Sequence, residues 1–193
     1  TRSPNVSRDI DLFKNANGNL TIGTSIPSFD TSLVRTIEPN APPPMARWEA
    51  LDELFHAGVP RFVSFSPTYP TMDRDEIREA LSWFAAVDPD VVFHEPINPR
   101  GGNFQMTVEA AREAGQDELA DELDKLRDRD HWVEYSKKQL TAVRDIGDDL
   151  DLPIHLWPDK EFIKHAGDDE EFFRREREKM ESPEDYPKLP SSA

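Results

Sequence analysis

Four short apolar runs alternate with amphipathic helical segments, and this alternation limits the fold more than any other feature of the sequence. The runs are LTIGTSIP (20–27), VPRFVSFSP (59–67), PDVVFHEPI (89–97) and LPIHLW (152–157). Between them lie helical patterns with apolar residues three and four apart. Residues 45–57 carry Trp48, Leu51, Leu54 and Phe55 on one face and stop at Gly58. MDRDEIREALSWFAAVD buries Ile77, Leu81 and Phe84 in the same way. Helices are also expected over NVSRDIDLFKNA (Val6, Ile10 and Phe13 as its stripe, Asn17-Gly18 as its stop), over SFDTSLVRTI with Ser28 or Asp30 as cap, and over 104–114. A charged helix to about 129 and the segment HWVEYSKKQLTAVRDIGDDL complete the series. Crossovers of about 20–35 residues suit parallel strands joined right-handedly, which predicts an α/β fold.

The connection after the first run contains IEPNAPPP (37–44). Glu38-Pro39 ends one helical arm, because proline disfavours a helical residue before it. Pro42 to Pro44 form an extended hinge, and Pro44 suits the first position of the next helix. The segment is expected to shape the crossover and to do no chemistry.

Three strand ends share a pattern of apolar residues, one or two polar side chains, then proline. They are Ser25-Ile26-Pro27, Ser64-Phe65-Ser66-Pro67 and His94-Glu95-Pro96. Proline ends strand pairing, so polar residues just before it gather at one mouth when the strands are parallel neighbours. His94 and Glu95 are adjacent and must point to opposite faces, which leaves open which of them faces a ligand. NPRGGN (98–103) could bring backbone N–H groups to an anion or serve as a plain loop capped by Asn103. Phe104 and Met106 beyond it read as core. Arg2, in TRSP, would join the mouth if TRSP closes an earlier strand, where a guanidinium pairs with carboxylates. His56, His131, His155 and His165 read as ordinary, HExxH is absent, and no metal is expected.

The 193 residues carry a net charge of -16 with a mean hydropathy of -0.72, and no basic stripe that could follow a phosphate backbone. Autonomous nucleic-acid binding is therefore not expected. Acidic surfaces of this kind also suit a salt-rich cytoplasm, where repulsion is screened. No run approaches the roughly 18 apolar residues of a membrane span. GxGxxG and Walker A loops are absent, so neither standard nucleotide fold is supported. The chain has no cysteine, hence no disulfide, thiolate metal site or cysteine-held cluster of its own. From about residue 166 it turns charged and then Pro/Ser-rich, giving an expected division into 1–165 and a charged helix with disordered tail over 166–193. Opening on TRSP rather than Met, it is expected to be a processed or truncated piece.

Taken in order, TRSPNVSRDIDLF, then LTIGTSIPSFDTSLVRTIEPNAPPPMARWEALDELFHAGV, FVSFSPTYP and VVFHEPINPRGGN resemble radical S-adenosylmethionine proteins of the spore photoproduct lyase-like group. The resemblance covers residues 1–105 and weakens towards 160. It implies the second half of a partial (β/α)6 barrel, with S-adenosylmethionine across the strand ends. By the same resemblance Arg2 approaches the methionine carboxylate and Ser25 the ribose or amino-acid part. Ser64, Ser66, His94 and Glu95 line the adenosine and substrate. The implied mechanism is reductive cleavage of S-adenosylmethionine to a 5′-deoxyadenosyl radical, then hydrogen abstraction, in the cytoplasm. The sequence departs from that group in lacking the CxxxCxxC loop that holds the 4Fe-4S cluster, the glycine-rich segment for the methionine amine, and the hydrogen-donor cysteine. The 193 residues alone should then be inert, with strand edges covered by a partner chain or a dimer. Two readings from other classes stand beside this one: a non-enzymatic α/β binding module, and a cluster-independent barrel enzyme with His94 and Glu95 as acid and base.

Overall fold

The computed structural model describes residues 1–16 and 20–181, so the Asn17-Gly18 stop and the expected disordered tail lie outside the described residues. A 3-10 turn (Pro4–Asp9) leads into helix α1 (Ile10–Lys14). Then follow β1 (Ile22–Ser25), α2 (Thr31–Ile37), α3 (Pro44–His56), β2 (Arg61–Thr68), α4 (Arg74–Ala85) and β3 (Val91–Pro96). The remaining elements are α5 (Phe104–Glu113), α6 (Asp117–Lys125), α7 (Arg129–Asp149), β4 (Ile154–Leu156), α8 (Lys160–Ile163) and α9 (Glu170–Glu181). The protein is α/β, as its alternation predicts.

All four strands are parallel, in the order β1-β2-β3-β4. A sequential order of parallel strands with right-handed crossovers places the connecting helices on one face of the sheet. The alternation along the strands follows from this. Val63, Phe65, Val92 and His94 point into the helix layer and are fully buried. They join Leu51, Leu54, Leu81, Phe84, Leu140 and Val143 from the helices; the apolar members form one continuous core. At the far edge α7 packs so closely on β4 that a Cβ on Gly147 would lie 2.2 Å from Ile154 Cγ1.

The opposite face is different. Phe62, Ser64, Ser66, Phe93 and Glu95 point there and are only partly buried. Phe62 lies over Gly23, where a Cβ would come within 2.0 Å of the ring. Phe62 and Phe93 meet edge-to-face at 5.4 Å, and Phe93 meets His155 at 5.7 Å. These rings stand outside the core cluster. Near β4, α9 reaches this side and brings Glu176 and Lys179 into electrostatic range of His155. At the other edge the backbone nitrogen of Thr1 donates to Gly23 O at 2.8 Å, which places Arg2 beside the C-terminal end of β1.

The proline-rich crossover folds as its residues dictate. α2 ends at Ile37 with Glu38 as C-cap, and α3 starts with Pro44 at its first position. The buried stripe of α3 is Pro44, Arg47, Ala50, Leu51 and Leu54, so a cation occupies a core position. Trp48 is only partly buried, and its indole N–H reaches Trp83 O at 2.7 Å. α4 opens with a full capping box between Asp73 and Glu76. Among the described residues no helix is long and apolar enough to cross a membrane.

Candidate functional site

A cleft of about 710 Å³ opens at the C-terminal ends of the strands. Parallel strands bring successive βα loops to this end, which is why a site forms there. Its polar wall holds Arg2, Glu38, Ser66, Glu95 and Asn98; its apolar wall holds Ile37, Pro39, Ile97 and Met106.

Of the residues singled out from sequence, Arg2, Ser66 and Glu95 line the cleft together. Ser25 is not part of the cleft lining; its hydroxyl donates to Ser66 O at 3.1 Å and ties the ends of β1 and β2 just behind it. Ser64 shares the open face but stands a row deeper, in register with Ser25 and Phe93. His94 is not at the mouth. It is wholly buried beneath the sheet, its ring 5.5 Å from Phe65 and its Nδ1 2.9 Å from Phe65 O. Burial pulls its pKa down to about 4, so Nδ1 carries the proton and donates, and the ring stays neutral. The opposite-face rule therefore resolves with Glu95 outward and His94 inward, and the two cannot act as an acid and base on one ligand.

Glu95 faces the cleft on one side and a small void of about 10 Å³ on the other, lined also by Asn98, Ser136, Trp132, Trp157 and Asp159. Asp159 is held by Asn98 Nδ2 at 2.8 Å and by Arg100. Burial, reinforced by the Asp159 charge and opposed by Arg177, pushes the Glu95 carboxyl above its ordinary range. A carboxyl with a raised folded pKa favours the protonated native state, so its contribution is lost as pH rises through that raised value. Glu95→Gln should accordingly melt higher than the wild type at neutral pH and level with it below the ordinary carboxyl range. Melting curves across that pH span decide the point, and parallel curves would refute it.

Glu38 in the cleft lining and Arg47 behind it carry no obvious site signal in the sequence. Glu38 reads in sequence as a helix stop, yet its carboxylate enters the mouth with its side chain 13% exposed. Its Oε1 meets Arg2 Nη2 at 3.1 Å, and its Oε2 takes a hydrogen bond from Arg47 Nη2 at 2.7 Å. Arg47, with no exposed side-chain surface, also donates from Nη1 to Ser25 O at 2.9 Å and from Nε to Pro42 O at 2.8 Å. The signal was a charge in the Pro44, Leu51, Leu54 stripe. Met106 was expected in the core, but it is 68% exposed at the rim, because Phe104, Thr107, Val108 and Ala111 form the inward face of α5. The NPRGGN loop turns back on itself through Gly101 N to Asn98 O at 3.0 Å, and Asn103 makes no side-chain cap. Buried Tyr69 closes the floor beside Glu38, its hydroxyl pKa raised by burial and by that carboxylate. Among the described residues, no three His, Asp or Glu side chains are grouped to hold a metal ion.

No protein-family model matches the chain, and no solved structure matches it. It is similar to the uncharacterized protein ORF301 of Acidianus two-tailed virus, 32% identical over 110 residues, which cover 54% of this chain and 36% of that protein. It is also similar to the uncharacterized protein MJ0683 of Methanocaldococcus jannaschii, 35% identical over 72 residues, covering 37% of this chain and 27% of that protein. The chain thus spans about a third of the length of the curated relatives it matches.

Proposed function

We propose that these residues are the C-terminal part of a radical S-adenosylmethionine enzyme, a cytoplasmic protein whose barrel is completed by further strands beyond β1. The observation that carries this reading is the one-sided sheet. Its four parallel strands run in sequential order, and among the described residues its second face carries Phe62, Phe93 and three hydroxyls or carboxyls, with α9 alone approaching near β4. Such a face suits the interior of a barrel, and the β1 edge, where Thr1 N already reaches Gly23 O, suits another strand, from this polypeptide or a partner.

The donor set at the mouth fits S-adenosylmethionine. Arg2 would take the carboxylate, the Ser25 and Ser66 region the ribose hydroxyls, and Ile37, Pro39 and Met106 would offer an apolar wall to the base. Glu95, whose carboxyl burial holds above its ordinary range, would face the polar groups of the ligand. When bound, S-adenosylmethionine supplies a reductively cleavable sulfonium and, through it, hydrogen abstraction from substrate. This chain's own part is to bind, to orient and to keep water from the floor with Tyr69. A 4Fe-4S cluster does not fit these 193 residues, which offer no thiolate, so its ligands would lie elsewhere in the polypeptide.

The coding sequence upstream of Thr1 tests the reading. A CxxxCxxC loop within about 150 codons is expected, and the longer protein should then release 5′-deoxyadenosine from S-adenosylmethionine under anaerobic reduction. An upstream frame without that loop would favour a binding module over an enzyme.

A further inference from the structure

The cleft contains a charge arrangement that goes beyond the binding of a carboxylate by one arginine. Arg2, Glu38 and Arg47 form a chain in which the carboxylate is shared, one oxygen to each guanidinium. The two arginines differ in every other respect. Arg47 is completely buried, and its Nη1 and Nε donate to the carbonyls of Ser25 and Pro42. Arg2 is 52% exposed and, among the described residues, has Glu38 as its one charged contact.

Two cations and one anion leave one positive charge in excess. A buried Arg47, bonded through all three of its nitrogens, offsets Glu38 permanently, so the excess falls on Arg2. Without Arg47, Glu38 and Arg2 would form a neutral pair, and an incoming anion would have to break it. With Arg47, a carboxylate can share Arg2 through guanidinium edges that Glu38 does not use.

We propose that Arg47 is a positioning residue that neutralises Glu38 and so leaves Arg2 available to a small carboxylate ligand at the mouth. It rests on the cofactor reading only in the identity of that carboxylate. The bonds to Ser25 O and Pro42 O add a second function, fixing Glu38 relative to the end of β1 by way of the proline hinge.

The test follows the Arg2 guanidinium N–H resonance of the 193-residue chain by NMR during titration with sodium acetate, against acetamide and sodium chloride. Acetate should shift the signal saturably in the wild type, and acetamide should not. Arg47→Met should weaken acetate about fivefold, and Glu38→Gln should strengthen it by a similar factor. The Arg47→Met/Glu38→Gln double variant should return to near the wild type. Arg47→Lys keeps the charge but forfeits carbonyl bonds, so it should lose melting temperature while binding acetate as the wild type does. A merely structural Arg47 would make acetate affinity follow melting temperature across all four variants, and that result overturns the proposal. If Arg47→Met does not fold, Glu38→Gln and Arg47→Lys still decide. S-adenosylmethionine titrated into the same samples separates the two readings. A response to acetate alone supports this site and removes the support Arg2 lends to the cofactor. Binding of S-adenosylmethionine that is indifferent to the charges of Glu38 and Arg47 does the reverse.

Discussion

Acidification from about pH 6.5 to pH 4 should remove about 3 kcal/mol of stability through one side chain, His94. The ring is wholly buried, and its pKa falls from 6.5 to about 4 because burial disfavours the charged form. The single bond it donates to Phe65 O opposes that fall only in part. A base with a depressed folded pKa leaves stability intact above its unfolded value. Stability then declines as pH drops, because the unfolded chain takes up a proton that the native state refuses. The slope is about 1.4 kcal/mol per pH unit, and it levels off below the folded pKa. His155 is shifted the same way by partial burial, so the total slope is not a clean measure. The difference between wild type and His94→Gln isolates the contribution, since glutamine can donate to Phe65 O at every pH. Denaturant unfolding should find the variant gaining about 3 kcal/mol on the wild type between pH 7 and pH 4. Equal slopes would show that His94 is protonated in the native state and that its Nε2 has found an acceptor.

His94 also marks where the sequence stops being informative. Alternation says that His94 and Glu95 face opposite ways, but not which way. The phase comes from the neighbouring strand: Phe65 pairs with His94 in register, and Phe65 belongs to the helix layer. The parallel alternation itself was legible, since each strand carries its own apolar run and each helix its own stripe. Boundaries moved by a residue or two at each strand end, where pairing with a neighbour rather than composition decides. The four-residue helix α8 was missed because it is too short to show a period. The cleft was half legible. Polar side chains before prolines disclosed Ser66 and Glu95, but Arg47 takes two backbone carbonyls, and backbone acceptors leave no trace in sequence. Glu38 looked like punctuation because its partners, residues 2 and 47, approach only when the hinge folds.

Truncating Arg47 to methionine should cost about 3–5 kcal/mol, the range for removing one partner of a buried charge pair. Methionine fills much of the volume and keeps the apolar stem packed in the α3 stripe, so the loss is electrostatic and hydrogen-bonding rather than a cavity. Three acceptors lose a donor together: Ser25 O, Pro42 O and Glu38 Oε2. Ser25 O and Pro42 O are neutral, and each unmet group costs about 1–3 kcal/mol if water cannot reach it. Glu38 is charged but retains Arg2 and some contact with solvent, which moderates its share. Glu38→Gln in the Arg47→Met background removes the stranded charge and should recover part of the loss, about 1–2 kcal/mol, leaving the carbonyl cost behind. Glu38→Gln alone should also destabilise, by about 1–3 kcal/mol, because the wholly buried guanidinium loses its counter-charge, although an amide oxygen can still accept from Arg47. A double-mutant cycle by urea unfolding measures these terms, and additive losses would mean that Glu38 and Arg47 do not act on each other. Coupling of the expected sign would mean that the proline hinge is clamped to the end of β1 by a buried guanidinium that also offsets the charge of Glu38. The crossover that joins β1 to β2 would then set the electrostatics of the mouth as well as its shape.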